Sequence, residues 1–375
     1  MLRFPEDFRN LQVTHAAFGL ACLALLPDLA AAQDFGTHDL SGEFAEPGTK
    51  VISVMSKAPE GGRNLGYSEG PAVDGEGNLY FTENDPAGET GNIWKVTHSG
   101  QSSNFYNGPG VPNGLEFDNG GKLFSAEKGV VATYDIKMGG ASRSTLSMNQ
   151  PLNSAFRNND VSVGSNGGIW FTNHGYGNQY FYRDPNGQVT VYNNQGANGV
   201  SVPNGIEWLE EKKLLLICSS NDNQVYQFDV GADFKASNKR VFGGVPVPDG
   251  LTVDEMGNVY VASYGTGKVY VFGPTGGKEI GMIDVKTGGN KNISNCAFGG
   301  PGNKTLFMTG TNGAYKIQWK IAGRTRPSSV GIRTSRNSVS ISPTRKSTLN
   351  FSLDGRKVTG VKTSAQLLIT IQGIR

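Results

Sequence analysis

One short pattern recurs six times along this chain at nearly constant spacing, and it constrains the fold more than any other feature. Its clearest copies are residues 202–208, Val-Pro-Asn-Gly-Ile-Glu-Trp, and residues 247–253, Val-Pro-Asp-Gly-Leu-Thr-Val. A period in the forties with several short strands per unit is typical of a β-propeller. The spacing therefore predicts an all-β fold with six blades. A carboxylate or carboxamide holds the same place in every copy, at steps of 44, 46, 45, 45 and 46 residues: Glu69, Asn113, Asn159, Asn204, Asp249 and Asn295.

Turn chemistry supports the same register. In the first repeat, residues 70–73 and 78–82 flank the turn sequence Asp-Gly-Glu-Gly, which is a hairpin signal. Apolar runs at 214–217 and 259–261 suit second strands that pack between neighbouring blades. The sixth repeat supplies three strands, and residues 49–54 form another strand before the first repeat. We expect this early strand to complete the sixth blade, because closure by both chain ends leaves fewer unpaired edges.

Charge is distributed unevenly along the 375 residues. Residues 324–375 hold ten Lys or Arg and one Asp, which leaves 24 basic and 31 acidic residues in the first 323. The predicted propeller is therefore mildly acidic, with a net charge of −7, and the tail is strongly basic. An acidic body argues against nucleic acid as a partner, because phosphate binding requires a clustered basic surface.

The N-terminus has the pattern of a signal peptide over residues 1–32. An apolar run at 16–26, too short to span a bilayer, ends at Pro27 and is followed by three alanines at 30–32. We expect a mature chain from Gln33 that is secreted or periplasmic and has no membrane span; a cytosolic N-terminal helix is the alternative. Cys218 and Cys296 fall in different repeats, which favours buried thiols over a disulfide.

The composition changes at the end of the predicted propeller, which we place at residues 33–323. Residues 324–349 are rich in Arg, Ser, Thr and Pro and suit an exposed linker. Residues 350–375 indicate a small β tail of two or three strands around an Asp-Gly turn. This segment resembles the C-terminal sorting domains by which some bacteria pass proteins across the outer membrane, which would allow attachment to the cell surface. A basic tail without an export role is the alternative.

The six repeated polar residues predict a metal site. The innermost strands of a propeller converge on its central channel, so residues at one repeat position form a ring around the channel mouth. Oxygen ligands without His or Cys suit a hard cation such as Ca²⁺ rather than tetrahedral Zn²⁺. The alternative is structural, because Asn, Asp and Gly are common where strands begin and bond the nearby backbone. Asp160, which replaces the following Gly, and Arg157 before Asn159 favour the functional interpretation.

The ordered motifs resemble those of the gluconolactonase/regucalcin (senescence marker protein) family, over about residues 65–310. That family consists of six-bladed propellers with a Ca²⁺-dependent lactonase site. The resemblance implies that the substrate is a small lactone, most simply a sugar lactone such as gluconolactone, and that Zn²⁺, Mn²⁺ or Mg²⁺ can substitute for Ca²⁺. The motifs that carry it are residues 68–71 (Ser-Glu-Gly-Pro), 157–160 (Arg-Asn-Asn-Asp), 168–173 (Gly-Ile-Trp-Phe-Thr-Asn), 203–205 (Pro-Asn-Gly) and 248–250 (Pro-Asp-Gly).

Position by position, the resemblance implies specific roles. Glu69, Asn204 and Asp249 would bind the metal, Asn159 would lie near both metal and substrate, and Arg157 would contact the polar end of the substrate. Asp249 would also be the general base. Two residues depart from the family, which often has Asp at the position of Asn173 and His at that of Lys128, so substrate preference or activity can differ.

Further contacts and a rival class complete the expectations. Asn113 from the ring and His174 from a loop are candidate substrate contacts, whereas His98 precedes a Ser-Gly turn and is expected at the surface. The scarcity of His near the ring disfavours a Ser or Cys nucleophile with a His base. We expect a monomer that hydrolyses a lactone. The rival is a non-catalytic propeller that binds a glycan or protein at the channel mouth, since fold alone cannot decide function.

Overall fold

The six repeats fold as the six blades of a β-propeller in the computed structural model. The structure describes residues 36–84, 90–118, 120–138, 142–149, 152–153, 157–175, 177–285 and 292–325, and three strands between 349 and 372. The first strands of successive blades contact one another in a closed ring, and this ring surrounds the central channel. The predicted fold class is confirmed.

Each blade is an antiparallel sheet whose first strand lies at the channel and whose later strands lie progressively further out. Blade 1 consists of Ser68–Val73, Leu79–Asn84, Thr90–Val96 and Ser102–Pro109. Blade 2 consists of Leu115–Phe117, Lys122–Glu127, Val130–Asp135 and Ser142–Thr145. Blade 3 consists of Asn158–Val163, Ile169–Asn173, Gln179–Arg183 and Val189–Tyr192. Blade 4 consists of Pro203–Leu209, Leu214–Ser219, Gln224–Val230 and Ala236–Gly244. Blade 5 contains Pro248–Val253, Val259–Ser263, Lys268–Phe272 and Glu279–Val285. Blade 6 contains Ile293–Gly299, Thr305–Gly310 and Gly313–Gln318. Short 3₁₀ turns lie at Ile136–Met138, Glu210–Lys212 and Pro301–Asn303.

Residues before the first repeat close the propeller. Ile52–Met55 pairs antiparallel with Gly313–Gln318, so the early strand completes blade 6 as the sequence predicted. Gly36–His38 adds a fifth strand to blade 5 by pairing with Glu279–Val285. The sequence did not predict this pairing, because three residues are too few to show an alternating pattern.

Apolar side chains fill the spaces between neighbouring blades. Trp170, Tyr180 and Phe228, for example, belong to one cluster that blades 3 and 4 share. The apolar runs assigned to second strands lie in Leu214–Ser219 and Val259–Ser263, and residues 215–219 and 259–263 are buried. Burying a large apolar side chain contributes roughly 1.5–3 kcal/mol, so these shared clusters hold the blades in place around the channel.

The C-terminal residues 332–375 form a second compact unit. Its strands Leu349–Leu353, Arg356–Thr363 and Gln366–Gln372 make one antiparallel sheet in that order. The predicted two or three strands therefore number three. The predicted signal peptide at 1–32 and most of the predicted linker lie outside the described residues. None of the helical turns in the described part of the chain has the length and apolar character that crossing a membrane requires.

Candidate cation site at the channel mouth

The repeated polar residues lie where the first strand of each blade begins, so the structure gathers them around one mouth of the channel. In five blades the pairing between first and second strands shifts register at or beside this residue. Such a bulge changes the direction of a side chain and is common next to functional sites. Four of the six residues are buried (Glu69, Asn204, Asp249 and Asn295), and Asn113 and Asn159 are half-buried.

Three of these residues follow a strained backbone. Val111, Val202 and Val247 have φ angles of 50°, 50° and 44°, and each immediately precedes a proline. A positive φ is costly for a β-branched residue and persists only where the surrounding structure enforces it. The Val-Pro-Asn/Asp-Gly motif therefore marks a local conformation that the fold sustains in three blades, two residues before Asn113, Asn204 and Asp249.

Glu69 and Asp249 meet across the channel through one tyrosine. The Tyr67 hydroxyl lies 2.8 Å from Glu69 Oε1 and 3.2 Å from Asp249 Oδ2, although 182 residues separate Tyr67 from Asp249. The other Glu69 oxygen, Oε2, accepts a hydrogen bond of 3.2 Å from the Gly70 amide. Two carboxylates from blades 1 and 5 thus converge within reach of a single hydroxyl.

Asn204 presents an amide oxygen to the same site. Its Nδ2 donates to Ser220 Oγ at 3.0 Å, and the Ser220 hydroxyl donates to the Pro248 carbonyl at 2.8 Å. These bonds fix the orientation of the carboxamide beside Asp249. Among the described residues, Asn204 Oδ1 is buried without a hydrogen-bond partner, and so is Asn113 Oδ1. A buried polar atom without a partner costs about 1–3 kcal/mol, which a bound cation would offset.

Burial makes negative charge expensive at this site. Loss of hydration raises the pKa of Asp249 well above its ordinary value, and the charge of Glu69 raises it further. Burial likewise raises the pKa of Glu69 to about 7, against the hydrogen bond from Tyr67. Within the described residues, no Lys or Arg forms an ion pair with either carboxylate.

The donor set fits a hard cation. Two carboxylates would neutralise a divalent charge, and the amide oxygens of Asn204 and Asn113 need a partner. In the described part of the chain, no group of three or more His, Cys, Asp and Glu is arranged to hold a metal ion. A cation at Glu69 and Asp249 would therefore depend on amide oxygens as further ligands, as the ring predicted.

Asp160 is a site residue to which the sequence assigned no role. It is 6% exposed, and its carboxylate accepts hydrogen bonds from the amides of Val161 at 3.0 Å and Ile206 at 3.2 Å. Burial raises its pKa to about 7. It projects over Gly114, where an added Cβ would lie 2.2 Å from Asp160 Oδ1. The sequence signal that could have identified Asp160 was its position in the repeat, because four of the other five copies have Gly there.

The predicted substrate contacts lie beside one another on blades 2 and 3. Arg157 forms an isolated antiparallel bridge with Lys128, and the His174 amide donates to the Arg157 carbonyl at 3.2 Å. All three side chains are exposed, and protein atoms around His174 lower the pKa of its imidazole by reducing hydration. Asn173 is buried instead, in the second strand of blade 3. The structure therefore places Arg157 and His174 next to each other, and their contact with a substrate stays a prediction.

The opposite end of the channel is built differently. Glu207 is 1% exposed and lies toward the end of the first strand of blade 4, whereas Asn204 lies at the beginning of that strand. Arg324 forms an ion pair with Glu207 and a second one, of 3.0 Å, with Glu211. The first residue that the sequence assigned to the linker is thus bound into the propeller.

One surface groove lies away from this site. It has a volume of about 330 Å³ and runs between blades 1 and 6, where Val54, His98, Pro301 and Phe307 line it. None of the ring residues contributes to it. His98 therefore lies away from the ring residues, and it is exposed at the surface, as expected.

The fold and the site together define a class of protein, a six-bladed propeller with two buried carboxylates at one mouth of its channel. The family model described as the SMP-30/gluconolactonase/LRE-like region matches residues 67–312, which is more than half of the chain. The chain belongs to this family.

Known relatives agree with this assignment. A gluconolactonase from Zymomonas mobilis is 25% identical over 310 residues, which cover 73% of this chain and 84% of the relative. A solved gluconolactonase from Xanthomonas campestris has a TM-score of 0.62 at 21% identity and covers 77% of this chain and 97% of its own. The calcium-binding regucalcin of Agrobacterium tumefaciens has a TM-score of 0.58 at 18% identity and covers 69% of this chain and 92% of its own. At these identities the two structures establish the fold alone.

Proposed function

We propose that this protein is a hydrolase that opens a lactone ring, that it requires Ca²⁺, and that its substrate is a sugar lactone such as gluconolactone. The observation that carries the proposal is the convergence of Glu69 and Asp249 with the unpartnered Asn204 amide oxygen at the channel mouth. The gluconolactonase relative, which this chain matches over most of its length, supports the reaction class.

Apart from polarising the lactone carbonyl, the steps of hydrolysis can be performed by the chain's own residues. A bound cation would polarise the carbonyl oxygen of the lactone. Asp249 is placed to accept a hydrogen bond from the attacking water and to take its proton as the water oxygen bonds to the carbonyl carbon. The ring C–O bond then breaks, and the leaving oxygen takes the proton that Asp249 accepted from the water. Because a neighbouring cation lowers the basicity of a carboxylate, we assign Asp249 first to orienting the water.

The rim supplies substrate contacts. Arg157 and His174 are exposed beside the mouth, and Asn159 lies two residues after Arg157 on the same strand edge. In an extended chain, residues two apart project to the same face, so Arg157 and Asn159 can contact one substrate. We propose that Arg157 binds its polar end and that Asn113 and Asn159 contact the ring nearer the cation.

A panel of lactones and esters, assayed with Ca²⁺ and with chelator, tests the proposal. We expect hydrolysis of sugar lactones with Ca²⁺, and its loss with chelator and in Glu69→Gln. Asn295→Ala is the matched control, because Asn295 shares the ring position and has no assigned role. Hydrolysis that persists in chelator would contradict the metal requirement. The absence of hydrolysis together with glycan or protein binding would favour the non-catalytic rival.

We further propose that the protein is exported and that its C-terminal segment serves sorting or surface attachment. The apolar run before the alanines at 30–32 and the pattern in 350–375 support this. N-terminal sequencing of the protein from native cells should give a chain that begins near Gln33. Deletion of 350–375 should reduce its delivery to the cell surface; unchanged delivery would contradict the sorting role.

A further inference from the structure

We infer that Tyr67 is a positioning residue of the cation site, whose hydroxyl holds Glu69 and Asp249 in the arrangement that binds Ca²⁺. The inference rests on the proposed function, since it concerns the same site. Tyr67 immediately precedes the motif at 68–71 and lies outside the repeated pattern, so the sequence gave it no role.

The Tyr67 hydroxyl is fixed from several directions. Its backbone bridges Thr311 of blade 6, and its carbonyl accepts a hydrogen bond of 3.1 Å from the Asn84 amide. Its ring packs edge-on against Tyr264 of blade 5, with centroids 5.8 Å apart and planes at 75°. Residues of blades 1, 5 and 6 thus locate one side chain, which is more than a solvated surface tyrosine would need.

The hydrogen bonds leave the carboxylates available to a cation. Tyr67 contacts one oxygen of each group, Glu69 Oε1 at 2.8 Å and Asp249 Oδ2 at 3.2 Å. A hydroxyl has one proton, so it donates to one carboxylate at a time, and the shorter distance favours Glu69. Glu69 Oε2 also accepts a hydrogen bond from the Gly70 amide, and the lone pairs that these bonds leave unused on both carboxylates remain for metal binding.

The Tyr67 hydroxyl also lies between the two carboxylates, within hydrogen-bond distance of both. A neutral donor between two like charges reduces their repulsion. Without it, the carboxylates would turn apart, and binding a cation would require them to converge again. Tyr67 therefore prearranges the ligands and lowers the cost of binding.

The test compares Tyr67→Phe, which removes only the hydroxyl, with Tyr264→Phe, which makes the same change on the ring packed against it. Isothermal titration of the full mature chain with CaCl₂ gives the Kd of each. Loss of a residue that orients metal ligands typically weakens binding about 10- to 100-fold. We expect this loss in Tyr67→Phe, with Tyr264→Phe within about twofold of the parent. 4-Aminophenylalanine at position 67 restores a donor and should recover the affinity.

Three other results would overturn the inference, and one of them would also overturn the proposed function. An unchanged Kd in Tyr67→Phe, while the parent binds Ca²⁺, overturns the inference and leaves the proposed function standing. A parent protein that binds no Ca²⁺ overturns both. Melting without Ca²⁺ separates positioning from folding: a Tyr67→Phe protein that is unfolded with or without Ca²⁺ shows that the hydroxyl is structural, and this too overturns the inference.

Discussion

The two ends of the central channel bury carboxylates in different ways. At the far end, Glu207 is neutralised by Arg324 of the same chain. At the mouth, Glu69 and Asp249 share the Tyr67 hydroxyl, and no Lys or Arg in the described parts of the chain pairs with them. A buried charge is costly unless it is paired. The far end therefore carries its counter-ion in the sequence, whereas we propose that the mouth takes one from solution.

This difference separates stability from function within one channel. Arg324 is part of the chain and cannot exchange with solvent, so its ion pair with Glu207 contributes only to the stability of the folded state. A site whose counter-ion is exchangeable can also offer that ion's remaining coordination positions to a substrate. We expect substitutions at the mouth to alter activity and the response to Ca²⁺, and substitutions at the far end to alter stability alone.

The largest effect should come from Asp249→Asn. It removes both a ligand and the group that handles the proton of the attacking water, for which positioned side chains contribute about 10²- to 10⁴-fold. We expect kcat/KM for the best lactone to fall by about that factor. Glu207→Gln makes the same acid-to-amide change at the far end and should leave kcat/KM within about threefold while the protein is folded. Equal losses in both variants would break the comparison.

Arg324→Leu should have the next largest effect, on stability. It leaves Glu207 buried without its cation, and breaking such a pair costs about 3–5 kcal/mol. Urea unfolding should show this loss in the free energy of unfolding, with kcat/KM unchanged. Adding Glu207→Gln to the same protein should recover much of it, because the uncompensated charge is then gone. A stability unchanged from the parent would contradict the importance of this pair.

The channel mouth should respond to pH because the pKa values of its carboxyl groups are raised. Burial raises the pKa values of Glu69 and Asp160 to about 7, so between pH 4.5 and 7 the Ca²⁺-free folded state binds more protons than the unfolded state. Its stability then falls as pH rises through this window, by about 1.4 kcal/mol per pH unit for each group. In our proposal, Ca²⁺ bound at Glu69 would remove that residue's part of the loss by stabilising its charged form.

The measurement is the difference in Tm between Ca²⁺ and chelator from pH 5 to 8. We expect this difference to grow toward pH 7 in the parent and in Arg324→Leu, and to be much reduced in Glu69→Gln. A difference that is constant across this range would show that protons and Ca²⁺ do not compete at the mouth.

The smallest effect should come from removing the residues after Thr325. A fragment of residues 33–325 retains Arg324. We predict that its Tm and kcat/KM equal those of the full mature chain, because few buried contacts cross such a boundary. Residues 33–323 lack Arg324 and should lose about 3 kcal/mol of stability, as in Arg324→Leu. Unfolding or inactivity of the longer fragment would show that the tail belongs to the catalytic body.

The sequence by itself determined the fold and the position of the site. The spacing of Glu69, Asn113, Asn159, Asn204, Asp249 and Asn295 is a local property of each repeat, and a repeat that cannot bury its faces alone must stack on its neighbours. Six such units with a strand at 49–54 specify a closed propeller. The ring at one mouth follows directly, because equivalent positions of equivalent strands share one end of the channel.

Only the tertiary structure decided which side chains meet across that channel. Tyr67 and Asp249 are 182 residues apart, and Arg324 reaches Glu207 from beyond the last repeat. Neither contact follows the period, so no pattern in the sequence could reveal it. Both depend on closure of the ring of blades, which brings distant strands together and removes water from their carboxylates. Because water is excluded, the buried Glu207 carboxylate requires its arginine, and we propose that Glu69 and Asp249 require a cation from solution for the same reason.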